Sequence, residues 1–433
     1  MEQDKSTRFN TSTPPVRQRQ FLRPLTWLVS FPAVWRHRVK IKKVNTAGLT
    51  APYLLLSNHN AFLDFKVLTV AIFPQRANYV VAIDGFIKRE WLLRNVGCIC
   101  KRKFTNDVQL VRQLRRVLDN GDVAVLYPEA RYSLCGTNAV LPDSLGKLAK
   151  LCKVPLVTLI NNGHHINSPF WNTKDRGVKN CEATLTQLLT AEQVEQLSAQ
   201  EINEIIRDAF VYDDFAWQRE HHVRVSDSQR AKGLHKVLYQ CPHCMTEYRM
   251  HSEGTRLYCS ECGKVWQMSE YGELIAQNGE TEFSHIPDWY EWQREQVRHE
   301  VEDGSYYFKC PVRVDSLPNA KGFISLGEGE LVHDMNGFRL TGSYKGEPYG
   351  MELSAMAAYS CHIEYNYLGK HGDCIDLNTL QDTYYIYPKD CEFSVTKISL
   401  ATEELYQKAR EAKKAELLAR KREIKPLSPL VEV

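Results

Sequence analysis

The sequence is poor in several features that would each have named a class. No stretch reaches the ~20 apolar residues a membrane-spanning helix needs. The best candidate, residues 21–35, is 15 residues long with Arg23, Pro24 and Pro32 inside it. Charge of one sign is not in excess: 55 Lys+Arg stand against 52 Asp+Glu, a net +3. That balance argues against a dedicated nucleic-acid binder, so nucleic acid is not an expected partner. No secretory signal with a cleavage site precedes the chain, and the 13 cysteines are an odd number. A disulfide framework is therefore not expected, and a reducing cytoplasm is the default compartment. There is no internal repeat and no low-complexity tract beyond the polar first 20 residues. With 43% hydrophobic and 25% charged residues, disordered, collagenous and coiled-coil classes are excluded as well.

What is present divides the 433 residues into four parts, consistent with two or three cores. Residues 1–44 are a basic, amphipathic N-terminal segment. Residues 1–50 hold ten Lys/Arg against Glu2 and Asp4. Tryptophans Trp27 and Trp35, flanked by these cations, suit a helix lying among lipid headgroups, so residues 20–43 are expected to touch a membrane surface. Packing of that helix on the protein's own core is the alternative. Residues 45–235 alternate short apolar runs (53–56, 79–83, 123–126, 156–160) with helical patterns (65–72, 86–94, 107–118, 145–151), as an α/β layer with a mixed or parallel sheet does. Residues 184–210 read as helical.

Residues 236–270 contain Cys241-Pro-His-Cys244, fourteen residues, then Cys259-Ser-Glu-Cys262-Gly. Two thiolates spaced this way turn toward one ion, and two such pairs complete a tetrahedral site. The expected ion is a structural zinc held by Cys241, Cys244, Cys259 and Cys262, with His243 a bystander and no position open for substrate. Residues 271–433 are expected to be mostly β, with aromatic and β-branched runs between Gly, Asn and Asp as in an antiparallel sandwich or barrel. A charged helix over 402–423 closes the chain. Cys310, Cys361, Cys374 and Cys391 read as core or loop cysteines.

The chemistry-bearing residues lie between positions 57 and 157. Asn58, His59 and Asp64 follow the first buried strand, where a carboxylate five residues after an imidazole can fix its tautomer and stabilise the imidazolium. Tyr127-Pro-Glu129-Ala130-Arg131 ends another strand, at the edge where α/β sites open. Gly97 is followed by the cations Lys101, Arg102 and Lys103, suited to a phosphate. The adjacent pair His164-His165 points in two directions in any regular structure and is not expected to bind metal.

In this order, the blocks resemble the glycerolipid acyltransferase family, specifically the bacterial lysophosphatidic acid (1-acylglycerol-3-phosphate) acyltransferases. Asn58, His59 and Asp64 match the family's Asn-His-x-x-x-x-Asp block in full. Gly97 matches the glycine of a second block, whose arginine position falls on Lys103. Pro128 and Glu129 match a third block, though Ala130 replaces its glycine and Arg131 arrives one residue early. Val154-Pro155 matches the fourth. The resemblance spans roughly residues 45–225. It implies transfer of an acyl group from acyl-CoA or acyl-carrier protein to the hydroxyl of lysophosphatidic acid or a related glycerophospholipid, giving phosphatidic acid in phospholipid synthesis. His59 would be the general base and Asp64 would orient it. Asn58 would help bind the substrate, Glu129 and Arg131 would organise the acceptor, Arg102 or Lys103 would hold its phosphate, and no acyl-enzyme is needed. The place implied is cytoplasmic, peripheral on the inner face of the cell membrane. A non-catalytic binding or regulatory protein, using the ribbon and β-rich part for a partner, is the alternative reading.

Overall fold

The computed structural model describes residues 7–369 and 371–423. Residues 1–6 of the basic segment and 424–433 of the β-rich part lie outside them. The first sheet has seven strands: β1 (Lys40–Val44), β2 (Leu54–Ser57), β3 (Ala77–Ala82), β4 (Cys98–Lys101), β5 (Val123–Leu126), β6 (Leu156–Asn162) and β7 (Glu182–Leu189). Their order is β1-β7-β6-β2-β5-β3-β4. Every neighbouring pair is parallel except β6 with β7, so the sheet is mixed.

Successive strand residues face opposite sides, and a strand covered on both reads as a continuous apolar run. β2 is the example. Leu54 and Leu56 pack on one face with α3 (Val108–Asp119) and α4 (Leu145–Cys152). Leu55 packs on the other with α1 (Arg23–Arg36) and α2 (Leu63–Ala71). Each such leucine, taken fully from water, contributes roughly 1.5–3 kcal/mol. α3 begins where the Asp107 carboxylate accepts from Gln109 N (2.8 Å) and Leu110 N (3.2 Å), and it stops before Gly121 at φ 75°.

Three local expectations change. Residues 184–210 are not one helix. Thr184 and Thr186 alternate with the buried Ala183 and Leu185, which makes β7, and a capping box at Thr190 restarts the helix at Ala191. β1, assigned by composition to the basic segment, is an edge strand of the sheet. The helix expected over 86–94 is a 3-10 turn, Ile83–Phe86, followed by a short helix, Glu90–Asn95.

The cysteine region forms the four-stranded antiparallel sheet β8 (Met250–Glu253), β9 (Arg256–Cys259), β10 (Val265–Met268) and β11 (Leu274–Ala276). Its Trp266 packs edge-to-face on Trp289 of α5 (Ile286–Asp303), with ring centroids 4.9 Å apart. Both rings are fully buried, so the ribbon shares a core with the β-rich part. The last sheet joins a four-strand meander, β12 (Phe308–Ser316), β13 (Ile324–Asp334), β14 (Gly337–Tyr344) and β15 (Glu347–Ser354), to a three-strand one. The second comprises β16 (His362–Glu364), β17 (Cys374–Asn378) and β18 (Thr383–Pro388), and the order is β15-β14-β13-β12-β18-β17-β16. Among the described residues β15 and β16 do not pair. The expected sandwich or barrel is thus one open antiparallel sheet followed by α6 (Val395–Glu423). Cys310 and Cys391 form a disulfide, against the expectation of free thiols, because β12–β18 pairing brings their Cα atoms to 6.3 Å.

Two arginines fasten the β-rich part to the α/β part. Arg102 donates to the carbonyls of Leu317, Pro318 and Gln381 (each 2.9 Å) and to Thr383 Oγ1 (2.7 Å). Arg131 meets Glu403 of α6 at 2.8 Å and donates to Ser399 (2.7 Å) and Ser360 (3.2 Å). Glu403 is shared with Arg294 of α5 at 2.7 Å. Burial opposes the Glu403 charge, but Arg131 and Arg294 hold its carboxyl below the usual range. Removing one partner of a buried pair of this kind costs about 3–5 kcal/mol, since the other charge is stranded.

Candidate active site

β2 ends at Ser57, and the chain crosses the sheet edge in a short loop before α2. Asn58 anchors that loop from below. Its side chain accepts from Asn161 N (2.8 Å) and donates to Asn161 O (2.9 Å), and it is fully buried. It therefore ties β2 to β6 and does not reach a substrate, contrary to the expectation from sequence. His59 comes next and faces a cavity. Its Nδ1 lies 3.0 Å from Asp64 Oδ2. Its ring is held between Tyr127 (4.2 Å, stacked) and Tyr132 (4.3 Å). With Nδ1 donating to the carboxylate, Nε2 is the basic nitrogen.

Asp64 is the most heavily bonded group in the loop. It accepts from Asn60 N (2.6 Å) and Ala61 N (2.9 Å) and meets His164 Nδ1 at 2.6 Å. Burial works against its charge, yet the hydrogen bonds from His164 and His59 bring its pKa down to about 2. His164 is a second imidazole on the same carboxylate, and sequence reasoning missed it. It is placed by a left-handed turn at Gly163 (φ 84°), where an added Cβ would stand 2.7 Å from the Trp217 ring. The buried Asp214 accepts from Gly163 N (2.9 Å) and His165 N (2.8 Å), which fixes that turn. His165 points the other way, into Trp171 and Phe215, and burial lowers its pKa to about 3.

The third sequence block is redirected. Ala130 takes φ 55°, a conformation that costs a non-glycine residue roughly 1–2 kcal/mol, which explains why glycine suits this position. Glu129 is fully buried and off the cavity wall. Burial pushes it up to about 8. Its carboxyl accepts from the Tyr212 hydroxyl (3.3 Å), which also stands 3.1 Å from Asn60 Oδ1. Glu129 thus braces the histidine loop instead of organising an acceptor. Arg131 and Arg102, expected on the acceptor and its phosphate, are taken up by the interface with the β-rich part. Lys103 does line the cavity, but Asp84 (3.8 Å) and Asp376 (3.6 Å) already flank its ammonium. Cys98 is a buried thiol raised to about 12, not a nucleophile.

The cavity has a volume of about 1280 Å³, above the ~300–1,000 Å³ usual for small-molecule pockets. Leu110, Leu114, Leu145 and Leu148 of α3 and α4 form an apolar channel. The opposite wall comes from the β-rich part, through Phe323, Tyr359, His362 and Glu364. Nothing in the sequence announced that wall.

The four ribbon cysteines converge, their sulfurs all within 4.8 Å of one another. Sulfurs at ~2.3 Å from a tetrahedral zinc stand ~3.8 Å apart. Cys241–Cys262 at 3.7 Å and Cys244–Cys259 at 3.8 Å fit that ion. His243 stands outside the cluster, its Nδ1 3.2 Å from Glu282.

A mixed α/β sheet thus carries an imidazole–carboxylate pair at its edge, beside a largely apolar cavity. Residues 38–161 match the family model described as Acyltransferase. No curated protein matches the chain. Among solved structures it is similar to the 1-acyl-sn-glycerophosphate (LPA) acyltransferase PlsC from Thermotoga maritima, at 10% identity and a TM-score of 0.34. That likeness covers 45% of this chain and 82% of that one.

Two outcomes are expected. Elemental analysis returns about one zinc per chain, and chelation unfolds the ribbon, because metal binding of ~10–16 kcal/mol supplies most of its folding energy. A folded, metal-free ribbon would contradict this. Glu129 has a folded pKa above its ordinary 4.5, so its stabilisation is complete at pH 4 and lost as pH rises toward 8. Thermal melts from pH 5 to 8 should show Glu129→Gln with a flatter decline than wild type, by up to about 1.4 kcal/mol per pH unit.

Proposed function

We propose that this protein is an O-acyltransferase of the 1-acylglycerol-3-phosphate acyltransferase type. It moves an acyl group from acyl-CoA or acyl-carrier protein to the free hydroxyl of a lysophospholipid in phospholipid synthesis. The observation that carries this reading is His59, held by Asp64, on the wall of a largely apolar cavity of about 1280 Å³. His59 Nε2 takes the proton of the acceptor hydroxyl as its oxygen attacks the thioester carbonyl. The C–S bond then breaks, and the leaving thiolate recovers the proton. Asp64, itself held by His164, keeps the tautomer and stabilises the imidazolium formed on the way. Lysophosphatidic acid is one acceptor of this class, and the choice of head group depends on the wall beside His59.

The same reading places the enzyme on the inner face of the cell membrane. None of the helices among the described residues is long and apolar enough to cross it. α1 instead turns Thr26, Ser30 and Val34 inward and leaves Leu28 (72%) and Trp35 (75%) exposed, with Phe21 beside them. This inversion of the usual burial pattern, flanked by Arg19, Arg23, Arg36 and Arg38, suits a helix whose outer face rests in a bilayer. α1 packs on Phe73 through Trp27 and Phe31. Phe73 follows α2, and Phe62 just before α2 lines the cavity, so α2 runs between the contact with α1 and the cavity wall.

Acyl transfer to lysophospholipids, followed with labelled donor, should fall by ~10²–10⁴-fold or more in His59→Ala. Unchanged turnover would remove His59 from the mechanism. Flotation with anionic vesicles should recover the wild type but not a Leu28→Glu/Trp35→Glu double variant, and added salt should weaken the wild-type binding. Equal recovery of both proteins would place the contact elsewhere.

A further inference from the structure

The resemblance leads to lysophosphatidic acid because its family pattern supplies cations for a phosphate. In this chain those cations are spent. Arg102 and Arg131 hold the β-rich part, with donors turned to carbonyls, hydroxyls and Glu403. Lys103 is the cation remaining on the wall near His59, and it is outnumbered. Asp84 and Asp376 flank it, and Glu364 stands on the same wall with its carboxylate 2.9 Å from His362 Nε2.

Two atoms of this cluster lack partners. His362 lines the cavity and is 2% exposed, and its Nδ1 has no hydrogen-bond partner. Asp376 is equally buried, and its Oδ1 has none. Buried polar atoms are rarely left unpaired unless something else completes them. Two rings stand between the cluster and the candidate base. The Tyr132 ring that packs on His59 is 5.9 Å from Phe170, which is 6.3 Å from His362.

Other cations on the cavity do not alter this balance. Arg410 is paired with Asp143, and Lys101 donates to Thr105 O (2.8 Å). Arg89 and Lys147 are exposed and solvated, where the phosphates of a long donor would pass.

We propose that the wall formed by Asp84, Glu364 and His362, with Asp376 buried behind Lys103, receives the ammonium end of the acceptor's head group, so that the preferred acceptor is an amine-bearing lysolipid and not a phosphate monoester. A phosphate dianion would meet two acids on that wall, Asp84 and Glu364, with Asp376 behind them already drawing on Lys103. An ammonium would instead be favoured by Asp84 and would draw Glu364, which burial holds at about 7, into its ionised form. This deepens the proposed function and rests on it for the site of acyl transfer.

The test uses the full-length zinc-loaded protein with short-chain lysophosphatidylethanolamine, lysophosphatidylglycerol and lysophosphatidic acid. The first two are both phosphodiesters, one ending in an ammonium and the other in a neutral diol. Equilibrium binding should favour lysophosphatidylethanolamine by at least about ten-fold over both others. Asp84→Asn and Glu364→Gln should each shrink that ratio. With thioester donor, kcat/KM should follow the same order. Equal or tighter binding of lysophosphatidic acid, or a ratio that neither variant moves, overturns the ammonium assignment and leaves acyl transfer standing. Tight, variant-sensitive binding of the ethanolamine lipid without turnover supports the assignment and overturns acyl transfer instead.

Discussion

One carboxylate, that of Asp64, holds the candidate site in order. It is fully buried, and it keeps its charge only because two imidazoles and two backbone amides converge on it. An ionised acid so far from water is tolerated only when each lone pair is matched. That demand fixes the Asn60-Ala61 turn, the position of α2, the left-handed Gly163 and the side of the His59 ring that faces the cavity. The loop is braced from beneath by Asn58 on Asn161 and by Glu129 on Tyr212, so the reactive imidazole rests on a rigid support. Preorganisation of this kind lets a base act without rearrangement at the moment of reaction.

The β-rich part belongs to the same physical unit. Its attachment uses guanidinium groups, whose planar arrays of donors suit clusters of carbonyls and carboxylates better than a lysine would. By placing Arg102 and Arg131 in that role, the chain gives up the positive potential that would draw a phosphate and closes the cavity with Phe323, Tyr359, His362 and Glu364. Ala130, between Glu129 and Arg131, holds its strained φ of 55°. A change of partner for one side chain thereby changes both the architecture and the charge of the wall that an acceptor meets.

Much of this was readable from the residues themselves. Continuous apolar runs at 53–56, 123–126 and 156–160 announced covered strands, because only a strand buried on both faces lacks polar alternation. The spacing of Cys241, Cys244, Cys259 and Cys262 announced a metal cluster, because a tetrahedral ion imposes that spacing locally. His59 and Asp64 were legible for the same reason: both lie in one loop, within reach of each other whatever the rest of the fold does.

What the chain alone determined, then, was whatever is local: strands, ribbon ligands, and an imidazole beside an acid. What only the tertiary structure decided was every role that depends on a partner far along the chain. His164 meets Asp64 across 100 residues, Arg131 meets Ser399 across 268, and Arg102 meets Thr383 across 281. A side chain carries the same charge whether it faces substrate or a distant carbonyl, and only folding chooses between the two.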